Sequence, residues 1–427
     1  MSRDPETSAA SSSSTSAPSR RTILTGAAWS VPVIAAASIT PIASASGVTA
    51  LAFDKASYSG TACGTITGAY VTVTVGGVAS AGKAVTVTLS GGYTFSGGAP
   101  TYTGVSDGAG KLTLPAINVP SVGGNGTLSA VSGSSTASAS ASAPAVKNAL
   151  WREPNGSTSA LSFPAQTTVP GDQTFLTPSG DLYLGQGIPI ASGVYSSSAI
   201  SLPGYGWAIT YLDANGTGGA RDWNGGVEAA SFPPGTVVCG DRTYLTPAGD
   251  LYLGPSQVVA SHVVSASTQA VANVGWFMTY VQQDGTAVWK HPTGNTITVS
   301  LPVGTKVVGD SAFLTPAGDL YLGTSKVASG VYSASSQIVE NVGWYMTWID
   351  ANGSAKWKDP TASPVSMSFP AGTTVHGDRL FLTPTGDLYD GPPSQVGSKV
   401  ASNVTSAWSQ VLYNVGWYVT VVSSPSC

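Results

Sequence analysis

The residues of this chain that could do chemistry are few, and they sort into three sets. Aspartates come in two registers. Asp172, Asp241, Asp310 and Asp378 each follow a glycine, and Asp181, Asp250, Asp319 and Asp387 each follow a second glycine nine residues on. A side chain repeated four times in register reads as architecture, because a catalytic constellation is seldom rebuilt in every repeat. The three histidines, His262, His291 and His376, occupy unrelated positions. Where one repeat has His376 the others carry Pro170, Cys239 and Val308, so that position is tolerant. The tryptophans form the third set. Trp207, Trp276, Trp344 and Trp417 each follow a glycine in register and read as core packing. Trp348 stands where other repeats have Tyr211 and Tyr280, whereas Trp408 has no counterpart. These last two are the candidates for contact with a sugar or a partner.

Other chemistries lack their residues. There is no GxSxG, HExxH or P-loop. Three cysteines without metal-like pairing argue against zinc. Asp213-Ala214-Asn215-Gly216 offers oxygen ligands but not the further ligands and distal Glu of a calcium loop, and turn chemistry accounts for it. No cofactor or metal is expected. A carboxylate pair for glycoside hydrolysis need not be close in sequence. A secreted glycan-acting hydrolase therefore stands as the alternative to a non-enzymatic binding protein.

The elements that position these residues must be strands. Only 9% of the 427 residues are charged, against the ~25% usual in soluble domains. Yet 42% are hydrophobic and 11 are Trp, so the chain is not of disordered composition. Sheets with Ser and Thr on the wet face give such a composition. The net charge is −4, and without a basic cluster there is no footprint for nucleic acid.

The first 45 residues read as an export signal. Ser19-Arg20-Arg21-Thr22-Ile23-Leu24 precedes an apolar run from Ala27 to Ile42, and Ala43-Ser44-Ala45 supplies the small residues that a signal peptidase reads. The paired Arg20 and Arg21 resemble a twin-arginine (Tat) signal, which implies cleavage after Ala45 and delivery outside the cytoplasm. A single transmembrane anchor is the other reading of the run, which Pro32 and Pro41 interrupt. No LPxTG-like motif is present near the end. The expected partners are the export machinery and signal peptidase, then cell-wall glycan or surface proteins.

Residues 46–146 predict a small β-sandwich. Tyr70–Val75 and Ala84–Leu89 alternate strictly, and further strands are expected at 111–114, 116–119 and 126–131. Ser106-Asp107-Gly108-Ala109-Gly110-Lys111-Leu112-Thr113 resembles the turn and strand of bacterial Ig-like domains, which implies a spacer or interaction module. Thr136–Ala143 reads as a last strand or a linker.

Residues 149–427 repeat four times. Phe175–Gly185 returns as Tyr244–Gly254, Phe313–Gly323 and Phe381–Gly391, and between these recur Gly206-Trp207, Gly275-Trp276, Gly343-Trp344 and Gly416-Trp417. Turn glycines at 180, 216, 249, 285, 318, 353 and 386 give a unit of about 69 residues, made of two hairpins, or four strands. The region enters on Ala149-Leu150-Trp151-Arg152, the second strand of a Gly-Trp hairpin, and its last Gly-Trp hairpin has only a first strand, Gly416–Val422. Pairing the two would close a ring and remove sheet edges. The expected fold is all-β: an Ig-like sandwich, then a closed four-repeat, four-bladed propeller-like ring. Tandem small β-modules are the alternative. The wording resembles propeller families with RCC1-like and tachylectin-like repeats. Cys239, at the tolerant position, is expected to be free, leaving Cys63 and Cys427 as disulfide candidates.

Overall fold

The computed structural model describes residues 47–427 other than 186, 203, 223, 340, 362, 392–397, 413, 414, 426 and 427. Arg20, Arg21, the cleavage point after Ala45, and Cys427 lie outside the described residues. Within them the regular elements are all strands.

The alternating segments of the first region form strands because alternate Val and Leu side chains can share one buried face. Tyr70–Val75 pairs antiparallel with Thr49–Phe53, and Ala84–Leu89 lies between Gly124–Ser132 and Thr101–Val105. Val71, Val73, Val85, Val87 and Leu128 are fully inside, with Tyr93, Phe95 and Ile117. Ser135–Ala143 is a strand, paired along its length with Gly124–Ser132, and not a linker. In the Asp107 turn one carboxylate oxygen accepts the N–H groups of Ala109 and Lys111, both at 2.9 Å.

Each repeat holds eight strands, not four. Thr168–Gly171, Thr174–Leu176, Leu182–Leu184 and Ile188–Ala191 make one four-stranded meander, and Val194–Leu202, Gly206–Asp213, Thr217–Arg221 and Val227–Ser231 make the next. The two hairpins read from sequence are the middle of each meander. What the reading lacked were the outer strands and the long inner strands Val194–Leu202, Val263–Val271, Val331–Val339 and Val404–Leu412. Each inner strand touches the next, and the last touches the first. The turn glycines have positive φ, 84° at Gly216 and 90° at Gly353. A Cβ at Gly353 would lie 1.9 Å from the Phe369 carbonyl oxygen, so no other residue fits.

The end of the repeat region pairs with its beginning. Ala149–Arg152 lies antiparallel to Gly416–Ser423 in one four-stranded sheet, with Ala149 opposite Val422 and Arg152 opposite Val419. The side-chain contacts there copy those between consecutive repeats. The Val169 N–H donates to the Ser406 hydroxyl, as Val238 does to Ser196, Val307 to Ser265 and Val375 to Ser333, all at 2.9–3.0 Å.

Candidate functional site

The Gly-Asp and Gly-Trp elements lock consecutive repeats together at four seams. The glycine allows close approach: a Cβ on Gly171 or Gly309 would fall 2.1 or 2.2 Å from a carbonyl oxygen of the adjoining inner strand. The aspartate then turns inward. Asp172, Asp241, Asp310 and Asp378 are all buried, and each accepts the indole N–H of the following Trp207, Trp276, Trp344 or Trp417. The residue after each Asp takes a left-handed backbone, φ 52–60°. Its N–H donates to a buried threonine of the preceding Gly-Trp strand, 2.9 Å from Gln173 to Thr420 and 2.7–2.8 Å in the other three. These aspartates are therefore architectural.

Burial raises the pKa of these four carboxyls, because a charge without water is costly. Asp310 and Asp378 also accept a second indole, from Trp289 and Trp357, each at 3.1 Å, and their pKa values stand at about 6. Asp172 lacks a second indole donor: the Trp151 N–H is buried without a partner, and Asp172 rises to about 7. Asp241 is raised as well.

Between the four inner strands lies a cavity of about 180 Å³, walled by one register of all four repeats: Ser198, Ser267, Ser335 and Trp408. Trp408 thus has counterparts after all, and they are serines. It is half-buried, packed against the cluster of Ala149, Phe163, Val169, Phe175 and Val422, and it lines this cavity. Cys239 is on the same wall, free, its thiol pushed up to about 12 by burial. Glutamines bridge the inner strands. The Gln337 amide donates to the Val411 carbonyl (2.8 Å) and accepts its N–H (2.9 Å), and Gln269 and Gln410 treat Ile338 and Ser201 likewise.

The first-to-second seam departs from this plan three times. Ile200 replaces the bridging glutamine, Ala208 replaces the aromatic residue seen as Phe277, Tyr345 and Tyr418, and Ala220 replaces the tryptophan seen as Trp151, Trp289 and Trp357. Two of the departures, Ala208 and Ala220, line an open cavity of about 320 Å³. The sequence carried the signal, since Thr217-Gly218-Gly219-Ala220-Arg221 breaks the Trp pattern of the equivalent strands, but only the fold shows that Ala208 lies beside it.

The other candidates resolve by position. Trp348 is 5% exposed, packed among Leu320, Val331 and Met346, and takes no part in a surface. The Asp213 carboxylate accepts the N–H groups of Asn215 and Thr217, at 2.9 and 2.8 Å, which is turn chemistry. Cys63 is disulfide-bonded, while Cys427 lies outside the described residues. No helix among the described residues is long and apolar enough to cross a membrane.

No family model and no curated protein matches this sequence. Among solved structures the chain is similar to apo AztD from Citrobacter koseri, at 8% identity, covering 80% of this chain and 99% of that one, with a TM-score of 0.31. It is similar to a quinoprotein alcohol dehydrogenase-like protein from Bacteroides thetaiotaomicron, at 9% identity over 73% and 94% of the two chains, TM-score 0.28. It is also similar to invasin, a bacterial integrin-binding protein, at 13% identity over 78% and 81%, TM-score 0.19. Likeness at these scores carries no argument about this chain.

Proposed function

We propose that this is an exported, non-enzymatic cell-surface or secreted protein whose four repeats form a closed propeller-like ring for adhesion or glycan recognition, with the Ig-like region as a spacer. The observation that carries the reading is Trp408. One indole set among hydroxyls, in the cavity that all four repeats wall, offers an apolar face beside hydrogen-bonding groups, the pairing that a sugar ring or a polar partner needs. The acids near it, Asp310 and Asp378, recur in every repeat and are tied to indoles, which favours binding over the hydrolase alternative. The test is a glycan array with the full chain and with Trp408→Ser. Binding that falls about tenfold in the variant, about 1.4 kcal/mol, supports the reading. Turnover of a glycan, or binding indifferent to Trp408, defeats it.

A further inference from the structure

The cavity at the first-to-second seam has the shape of something the chain itself supplies elsewhere. At the Asp310 seam Trp289 lies edge-on to Trp344, with centroids 5.8 Å apart, and points its N–H at Asp310 Oδ1, 3.1 Å away. Trp357 does the same beside Trp417, at 6.3 Å, toward Asp378 Oδ1. At the altered seam the acceptor and the second indole remain. Trp276 is half-exposed and donates to Asp241 Oδ2 at 2.7 Å, so among the described residues Asp241 Oδ1 has only the Thr210 hydroxyl, at 3.3 Å. The donor residue is now Ala220, and the aromatic that would fill the floor is Ala208. The other polar groups that line this gap are Arg221, Asp222, Glu228 and Arg242. Arg242 is ion-paired with Glu228 and lies 5.2 Å over the Trp276 ring, and Asp222 caps its own turn through Asn224 and Gly226.

We propose that this cavity is a binding site for an indole ring, seated on Ala208 and Ala220, edge-on to Trp276, with its N–H donated to Asp241 Oδ1. The volume lies at the lower end of small-molecule sites. A buried acceptor short of one donor selects a ring that carries an N–H over one that does not, because the mismatched ring leaves the carboxylate oxygen unpaired. The proposal goes beyond the glycan reading, since no residue that lines this cavity lines the one at Trp408. The indole could arrive as a small molecule or as a tryptophan side chain of a partner polypeptide.

The experiment is calorimetric titration of the full chain with indole, indene and N-acetyl-tryptophanamide, on the natural protein and on Ala220→Trp. Expected are a dissociation constant of about 1 mM or tighter for indole, at least about fivefold weaker binding of indene, and loss of indole binding in the variant. That variant should also melt higher, by about 2–4 °C, as the native ring fills the space. Binding of the amide as well as indole points to a polypeptide, and binding of indole alone to a small molecule. If Ala220→Trp does not fold, Ala220→Leu replaces it, with at least about fivefold weaker indole binding expected. No binding by the natural chain, binding unchanged in the folded filling variant, or equal affinity for indene would overturn the proposal. A methyl glycoside displaced by Ala220→Trp, with indole inert, would assign the cavity to a sugar and overturn the indole class. A negative glycan array with indole bound here leaves the site standing and removes only the glycan reading.

Discussion

The seam at Asp310 and the seam at Asp241 share their strands, their turns and the hydrogen bonds of their backbone frame, yet one is full and the other is open. Both keep the left-handed residue after the aspartate, the threonine that caps it and the indole that follows. They differ in Gln269 against Ile200, Phe277 against Ala208, and Trp289 against Ala220. The backbone frame is therefore held by Gly, Asp and Thr, and the aromatic filling can be removed without dismantling it. Natural repeats relax where fewer packing demands act on them, or where a space is used. The convergence of small residues around an under-satisfied buried carboxylate favours use.

The largest expected effect concerns the seam that joins the two ends. Ending the chain at residue 414 removes Gly416–Ser423, the strand between Val404–Leu412 and Ala149–Arg152, together with Thr420, which caps Gln173. Two unpaired edges and an uncapped first repeat follow. The truncated chain should be insoluble or lose its unfolding transition, although three repeats are intact. A soluble product with only a quarter of the repeat signal lost, by circular dichroism, would mean that the seams act independently.

Next comes the contrast between full and open seams. Asp310→Ala orphans two indole N–H groups, whereas Asp241→Ala orphans one. At about 1–3 kcal/mol for each buried unsatisfied donor, the first should cost about 3–5 kcal/mol and the second about 2. Denaturant midpoints measure both. Equal losses would show that the second indole contributes nothing.

Much of the frame was legible in the sequence, and the reason is turn chemistry. Gly216, Gly285 and Gly353 mark hairpins because nothing else fits their conformation. The pairing of 149–152 with 416–423 was legible because each end carries half of a hairpin seen whole elsewhere. The inner strands were not legible. Val263-Val264-Ser265-Ala266-Ser267-Thr268-Gln269 shows no clean alternation, because neighbouring sheets flank it and both of its faces meet protein. The two meanders per repeat were missed for that reason. Trp408 stood out as an off-pattern residue, but its serine counterparts could be assigned only once those strands were in register.

The same carboxyls set a pH dependence. Asp172, Asp310 and Asp378 have folded-state values raised by burial to about 7, 6 and 6, against 3.8 when free. The native state keeps its protons where the unfolded chain has released them. Their contribution is therefore complete below about pH 4 and is lost as pH rises toward 7. The turn acids with lowered values, Asp319 and Asp387 among them, act below that window. Unfolding midpoints should fall between pH 4 and 7 and level off above it, and Asp172→Asn should remove the upper part of the fall. Midpoints that rise across the window would refute the assignment.

The smallest expected effect tests whether the open seam is a weakness or merely different. At the third seam Gln337 satisfies both backbone groups of Val411. Gln337→Ala leaves an N–H and a carbonyl unpaired in a partly buried place and should cost about 1–3 kcal/mol. Ile200 makes no such bridge, but it is 7% exposed and packs with Leu202, Ala208, Ala270 and Trp276. Ile200→Gln would gain two hydrogen bonds to the Ala270 backbone, about 1 kcal/mol each, and lose about 1.5–3 kcal/mol of apolar burial. The two terms nearly cancel, so its stability should change by less than about 1 kcal/mol. A gain well above that would mean the seam had been left loose at a cost to stability, as expected where one part of the ring must yield to admit a ligand. A loss above it would mean that the apolar packing of Ile200 contributes more at this seam than a glutamine bridge would.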